Sequence, residues 1–320
     1  MINEAVKEKL YETCRGKLSH AYMICGPDGI GKRTLAREMA KAILCADRGN
    51  APCGICRACK SYSAGAHPDA LHLAPGGAAG DIKIGEIRRL KEECAVTPIS
   101  GDRRVIIIDR AEKMNINAQN AFLKLLEEPE KGNVFVMTCS NVERILPTVR
   151  SRCIMISVPP VSDDEIEQAV AKYENASSKV TAKQAAVYSG GIIGKALDLM
   201  AGDERHPYFL TMQIMKALCE DNVIELMKVA QLITDRTALE QVSEGIVLFC
   251  TDLLKYISGI ENLHFPLENI ADATQKLTRM KTLNIIETAR QSITEAQSSA
   301  ADVKMLVQKM LLSCREEING

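Results

Sequence analysis

The sequence lacks a charge excess of either sign. Its 320 residues carry 40 Lys and Arg against 41 Asp and Glu, a formal net charge of −1. Proteins that coat nucleic acid draw their affinity from many cation–phosphate contacts, so that class is excluded, while a local basic patch is not. Also missing is any apolar run near the roughly 18 residues needed to cross a bilayer. The opening residues, MINEAVKEKLYE, have no apolar core of the kind a secretory leader carries, and the expectation is a cytoplasmic protein. No repeat or low-complexity tract is evident. What remains is ordinary globular material, 46% hydrophobic and 25% charged. At roughly 100–200 residues per domain, the length corresponds to two or three domains.

Cysteine departs from this ordinariness, with 12 residues in a chain whose expected compartment keeps disulfides rare. Eight are scattered singly: Cys14, Cys25, Cys94, Cys139, Cys153, Cys219, Cys250 and Cys314. Most lie in apolar stretches and read as small core residues. The other four, Cys45, Cys53, Cys56 and Cys59, crowd into CADRGNAPCGICRAC. Two overlapping C-x-x-C steps and an upstream cysteine supply four thiolates, the closed tetrahedral shell of a structural Zn²⁺. Gly49, Asn50, Pro52 and Gly54 supply the turns between them. A redox dithiol would not need four cysteines. The set holds no His and no basic recognition helix follows, which argues against a zinc-dependent DNA-binding module.

Short apolar runs at 19–26 (SHAYMICG), 105–108 (VIII), 134–139 (VFVMTC) and 153–158 (CIMISV) are rich in β-branched residues and bounded by turn or charged residues. They read as buried parallel strands. Leu35, Met39 and Ile43 recur at helical spacing after the first. Ala118, Ala121, Phe122, Leu125 and Leu126 mark a helix that stops before Pro129. The alternation predicts an α/β domain with a parallel sheet over residues 1–160, with the cysteine module inserted at about 45–60. Beyond Pro159 and Pro160 no strand is convincing. Helices are expected at 163–173 and 181–188, in a small helical domain over 161–204. A helical C-terminal domain over 205–320 ends in a helix lined by Val303, Leu306, Val307, Met310 and Leu311.

CGPDGIGKRTLARE, residues 25–38, nearly matches a phosphate-binding loop. Gly26, Gly31 and Lys32 fit G-x-x-x-x-G-K, and strand, glycine loop and helix follow one another as the motif requires. Gly29 lies within the loop. The next position should carry a hydroxyl for magnesium; it is Arg33, and a Thr comes only at Thr34. Asp109, directly after the 105–108 run, stands where a nucleotide hydrolase holds its metal, although it could simply cap the strand. The position after it, where many such enzymes place a Glu, is Arg110, which cannot accept a proton. Ser140 (in TCSN) and the arginines of RSRC, Arg150 and Arg152, say little when taken singly.

Taken together, HAYMICGPDGIGK, the four-cysteine insert, HPD (67–69), VIIIDRAEKM, NAQNAFLKLLEEP and RSRC cover about half the chain, and they resemble clamp-loader subunits of the AAA+ family. Within that group the likeness is to the delta-prime kind of bacterial DNA polymerase III, with its ATPase paralogue gamma/tau as the alternative. The resemblance implies an AAA+ domain, a small helical lid and an all-α collar. It also implies gamma/tau and delta subunits as partners, and the sliding clamp and primed DNA reached through the complex. In the family, Lys32, a hydroxyl after it, Asp109 with a following Glu, Ser140 and an arginine of the lid form one ATP site. This chain has Arg33, Arg110 and, at the lid position, Gly194 followed by Lys195. The implied site, Gly26, Gly29, Gly31, Lys32, Thr34, Asp109 and Ser140, is therefore a degenerate place for ATP or ADP. Arg152 matches the arginine finger that acts on a neighbouring subunit's ATP. An independent AAA+ ATPase would need the catalytic positions intact.

Overall fold

The protein is described as a computed structural model covering residues 4–76, 80–174, 180–260, 263–299 and 301–319. It divides into two compact units, residues 1–162 with 191–194, and 163–190 with 195–320.

The first unit is built on five parallel strands: β1 (Ala21–Cys25), β2 (Ala70–Leu73), β3 (Arg104–Ile108), β4 (Asn133–Cys139) and β5 (Ile154–Ser157), in the order β2-β3-β4-β1-β5. Parallel neighbours cannot be joined by tight hairpins, and helices make the crossovers. These are α2 (Lys32–Leu44), α3 (Arg57–Ser63), α4 (Ile84–Cys94), α5 (Ile116–Glu127) and α6 (Pro147–Arg150), while α1 (Glu4–Arg15) precedes β1. One face of the sheet buries Tyr22, Ile24, Val105, Ile107 and Val136 against Leu10, Leu35, Met39 and Ile43. The other buries Met23, Ile106, Ile108 and Met137 against Ile87, Leu90, Phe122 and Val149. Layers on both faces explain why the central strands read as unbroken apolar runs.

Three of the expected strands lie as expected at β1, β3 and β4. The fourth differs: β5 is an edge strand, and Ile154 and Met155 are 47% and 41% exposed. A run of apolar residues at an edge has a neighbour on one side only. The sheet also contains β2, which carries no clear strand signature, since ALHL is four residues long and includes a His.

The second unit is all helical among the described residues. It comprises α7 (Asp163–Val170), α8 (Ala182–Ser189), the body of α9 (Ile193–Met200), α10 (Pro207–Cys219), α11 (Val223–Ala230), α12 (Arg236–Ile257), α13 (Leu267–Thr274), α14 (Arg279–Ser298) and α15 (Val303–Asn319). Helix α12 packs along α14, and α14 along α15. Leu306, Val307, Met310 and Leu311 form the buried stripe of α15. The carboxylate of Asp252, fully buried on α12, accepts hydrogen bonds from the backbone amides of His264 and Phe265 (2.5 and 3.0 Å) and pairs with the His264 ring (2.8 Å). It ties the segment before α13 to the central helix.

No helix among the described residues is long and apolar enough to cross a membrane.

Candidate nucleotide-type site and cysteine centre

In an open parallel sheet, ligands collect beyond the carboxyl ends of the strands. Here β1 ends at the glycine loop, β3 at Asp109 and β4 at Ser140, and these three strands are neighbours. The loop turns through left-handed backbone at Gly29 (φ 83°) and Gly31 (φ 99°), conformations that favour glycine. Gly26 closely approaches the chain just after β5, since a Cβ there would lie 2.8 Å from the Val158 carbonyl oxygen. Lys32 opens α2 and is buried.

The polar groups of the loop are turned on one another. The Lys32 ammonium donates to the carbonyls of Gly26 and Pro27, both at 2.8 Å, and to Asp28 at 3.3 Å. A lysine has three donors, and all three are directed inside the loop. The Ser140 hydroxyl donates to the same Asp28 carboxylate. Burial pushes the Asp28 carboxyl up, but the Ser140 hydrogen bond and Lys32 outweigh it and hold the group below the ordinary carboxylate range.

Asp109 is fully buried, and Arg33 Nε and His72 Nε2 both reach its Oδ2 at 2.8 Å. Burial alone would raise its pKa, but the His72 hydrogen bond and the charges of His72 and Arg33 lower it below the ordinary value. Arg33 thus sets a fixed cation against the carboxylate that would face a metal. Arg110 has left-handed backbone (φ 52°), its amide donates to Thr138 Oγ1 at 2.9 Å, and its guanidinium lies 4.0 Å from Glu112. Glu112 accepts from the Ser140 amide at 3.3 Å. Thr34 is exposed.

Gly194 also belongs to this unit, and its amide donates to the Gly29 carbonyl at 2.9 Å. A Cβ at Gly194 would lie 2.8 Å from the Gly29 Cα. The position has no room for a side chain.

The structure therefore brings Gly26, Gly29, Gly31, Lys32, Asp109 and Ser140 to one end of the sheet. Arg152 stands apart from them. Its guanidinium donates to the Thr148 carbonyl at 2.9 Å and pairs with Glu127 of α5 at 2.9 Å, while remaining about one-third exposed. Sequence reasoning missed Asp28, His72 and Glu127. Asp28, inside CGPDGIGK, and Glu127, inside LLEEP, both sit in quoted motifs, whereas His72 carries no such signal.

The four cysteines lie where α2 gives way to α3. Cys45 caps the end of α2, Cys56 caps the start of α3, and Cys59 lies within it. All four sulfurs fall within 4.8 Å of one another. Zinc–sulfur bonds of about 2.3 Å place tetrahedral sulfurs just under 4 Å apart, so the donor set fits. The amides of Cys53, Cys56 and Cys59 each donate to a cysteine sulfur at 3.4 Å, which favours thiolate. Burial opposes ionisation of Cys56, but the Cys59 and Ala46 amides outweigh it and bring its thiol down to about 6. The module is anchored by Arg15, which donates to the buried Ala51 carbonyl at 3.2 Å.

Comparison with known proteins agrees with this arrangement. The family described as DNA polymerase III, delta subunit, matches residues 2–162. The DNA polymerase III subunit delta' of Pseudomonas aeruginosa is 41% identical over 146 residues, covering 45% of this chain and 44% of the relative. The delta' subunit of Bacillus subtilis is 38% identical over 164 residues, covering 51% and 49%. The chain thus spans about half the length of the curated relatives it matches. A DNA polymerase III gamma subunit-related protein from Thermotoga maritima superposes over 97% of this chain and 99% of its own, with a TM-score of 0.57 at 16% identity. That likeness shows the fold alone.

Proposed function

The chain belongs to the DNA polymerase III delta-subunit family and is delta-prime-like within it, and from that premise we propose that it is a non-hydrolysing subunit of the clamp-loader complex. It assembles in the cytoplasm with gamma/tau and delta subunits and helps to place the sliding clamp on primed DNA. Residues 1–160 act as the AAA+ domain, 161–204 as the lid and 205–320 as the collar that holds the ring together. Arg152 serves the ATP site of a neighbouring subunit, where an arginine supplied in trans stabilises charge developing on the transferred phosphoryl group.

The observation that carries this reading is the pairing of Asp109 with Arg33 and His72. A hydrolase needs this carboxylate free for its metal, and the residue that binds it stands where the magnesium hydroxyl belongs. Arg110 in place of a carboxylate, and Gly194 without space for an arginine, support the same conclusion. Bound nucleotide in this loop would contribute structure and not turnover. Cys45, Cys53, Cys56 and Cys59 would hold a structural Zn²⁺, whose chemistry is to fix the chain between α2 and α3.

The test is steady-state ATPase of the isolated chain. No turnover above background is expected. Turnover near about 1 s⁻¹, the slow end of ordinary enzymes, that disappears in Lys32→Ala would overturn the reading in favour of a gamma/tau-type or independent ATPase.

A further inference from the structure

The first unit carries a hollow that neither the glycine loop nor the cysteine centre uses. A cavity of about 570 Å³ opens at the free edge of β2, between α2 and the end of α3, and its walls include Arg37, Lys41, Tyr62, His67, Ala70 and His72. Arg33, Arg37 and Lys41 are spaced four apart on α2, which puts them on one stripe. Like charges at that spacing weaken a helix, so local structure does not call for them. Asp109 balances Arg33, whereas Arg37 and Lys41 have no ion pair among the described residues. The only carboxylate in the wall, Glu38, accepts a hydrogen bond from Tyr11 at 2.5 Å.

The backbone at this edge is also open. The Val105 amide donates to the Asp69 carbonyl, and the Asp109 amide to the Leu73 carbonyl, so residues 69, 71 and 73 turn their polar groups toward β3. By the alternation of a parallel ladder, Ala70 and His72 turn theirs outward. The Ala70 amide is taken by the His67 carbonyl. The Ala70 carbonyl and both His72 backbone groups have no partner among the described residues. The cavity meets Ala70, Leu71 and His72 in succession. Their side chains alternate between faces, so the hollow follows the edge itself.

We propose that this edge binds an extended acidic segment of a partner protein, which adds a strand beside β2 and sets its carboxylates against Arg37 and Lys41. Strand addition takes affinity from backbone hydrogen bonds and specificity from the flanking side chains. An unpaired edge would supply the former and the cationic rim the latter. Single-stranded nucleic acid suits the site less well. It has no amide ladder to offer β2, and Tyr62 is the only aromatic ring of the Phe, Tyr or Trp type in the wall, short of a stacking platform.

The test uses the full zinc-loaded chain and a fluorescein-labelled ten-residue peptide alternating Glu with Val, against the same peptide with Gln for Glu. Anisotropy should show binding of the Glu peptide. The double variant Arg37→Glu/Lys41→Glu should weaken it by about tenfold or more, while Arg88→Glu on α4 leaves it unchanged. Arg37→Gln/Lys41→Gln stands in if charge reversal disturbs folding. Hydrogen exchange at the His72 amide should slow when the peptide is bound. The proposal is overturned if the Gln peptide binds equally well, if both double variants retain binding, or if the His72 amide is not protected. Displacement of the peptide by a lower concentration of oligothymidylate would overturn it too, by assigning the hollow to nucleic acid.

Discussion

Replacing Asp109 by Asn separates a structural ion pair from a working metal carboxylate. In a functional site such a carboxylate is held in an unfavourable environment, and its removal is commonly neutral or stabilising. Here the group is fully buried with two partners at 2.8 Å. Hydrogen bonds to a charged group contribute about 1.5–3 kcal/mol each. The Arg33 and His72 side chains are 57% and 42% exposed, and water can replace much of what they lose, so the total is set nearer 2 kcal/mol than the sum. At about 2–4 °C per kcal/mol for a unit of this size, the transition of the α/β unit should fall by roughly 4–8 °C. The pH dependence has a definite sign. A carboxylate whose folded pKa is depressed stabilises above its unfolded value near 3.9, and that contribution is lost as pH falls through the folded value. The gap between wild type and Asp109→Asn should be full at neutral pH and close on acidification below about pH 4. Calorimetry across that range is the assay. An unchanged or raised melting temperature at pH 7 would refute the reasoning.

Asp252→Ala should also destabilise the helical unit, by about 1–3 kcal/mol, because it strips the acceptor from the buried amide of Phe265 and the half-buried amide and ring of His264; thermal denaturation reads it directly. Protein purified without added zinc should carry one equivalent of metal per chain, measured by elemental analysis. Less than about half an equivalent, with all four clustered thiols freely titratable, would count against a metal centre.

The central strands were legible because burial on both faces leaves a continuous apolar run, as in Val105–Ile108 and Val134–Cys139. The edges were not. β2 is too short and polar to stand out, and apolar β5 gave no sign that one side has no neighbour. Helix α5 was readable from Phe122, Leu125 and Leu126 and the proline beyond it. At the candidate site, spacing alone showed Lys32, Asp109 and the cysteine quartet. It also showed that Arg33 and Arg110 depart from the pattern, but not what they do. That Arg33 reaches Asp109, that His72 joins it, and that Asp28 gathers Lys32 and Ser140 depend on crossings between strands far apart in sequence. Gly194 is the plainest case. As a letter it is a missing arginine, and in the fold it is a contact with Gly29 that excludes any side chain.

The most direct measurement compares clamp loading by reconstituted complexes containing wild type, Arg152→Ala or Arg150→Ala. The Arg152 ion pair with Glu127 is partly exposed, so its loss should cost at most about 1 kcal/mol of stability and leave folding and assembly intact. A finger in trans can be worth about 10³-fold or more at one site, while the remaining sites of the ring keep working. Arg152→Ala should therefore lower total ATPase in part and clamp loading sharply, with Arg150→Ala much milder. Loading at the normal rate by an intact Arg152→Ala complex would contradict the account and leave Arg152 as a surface salt bridge.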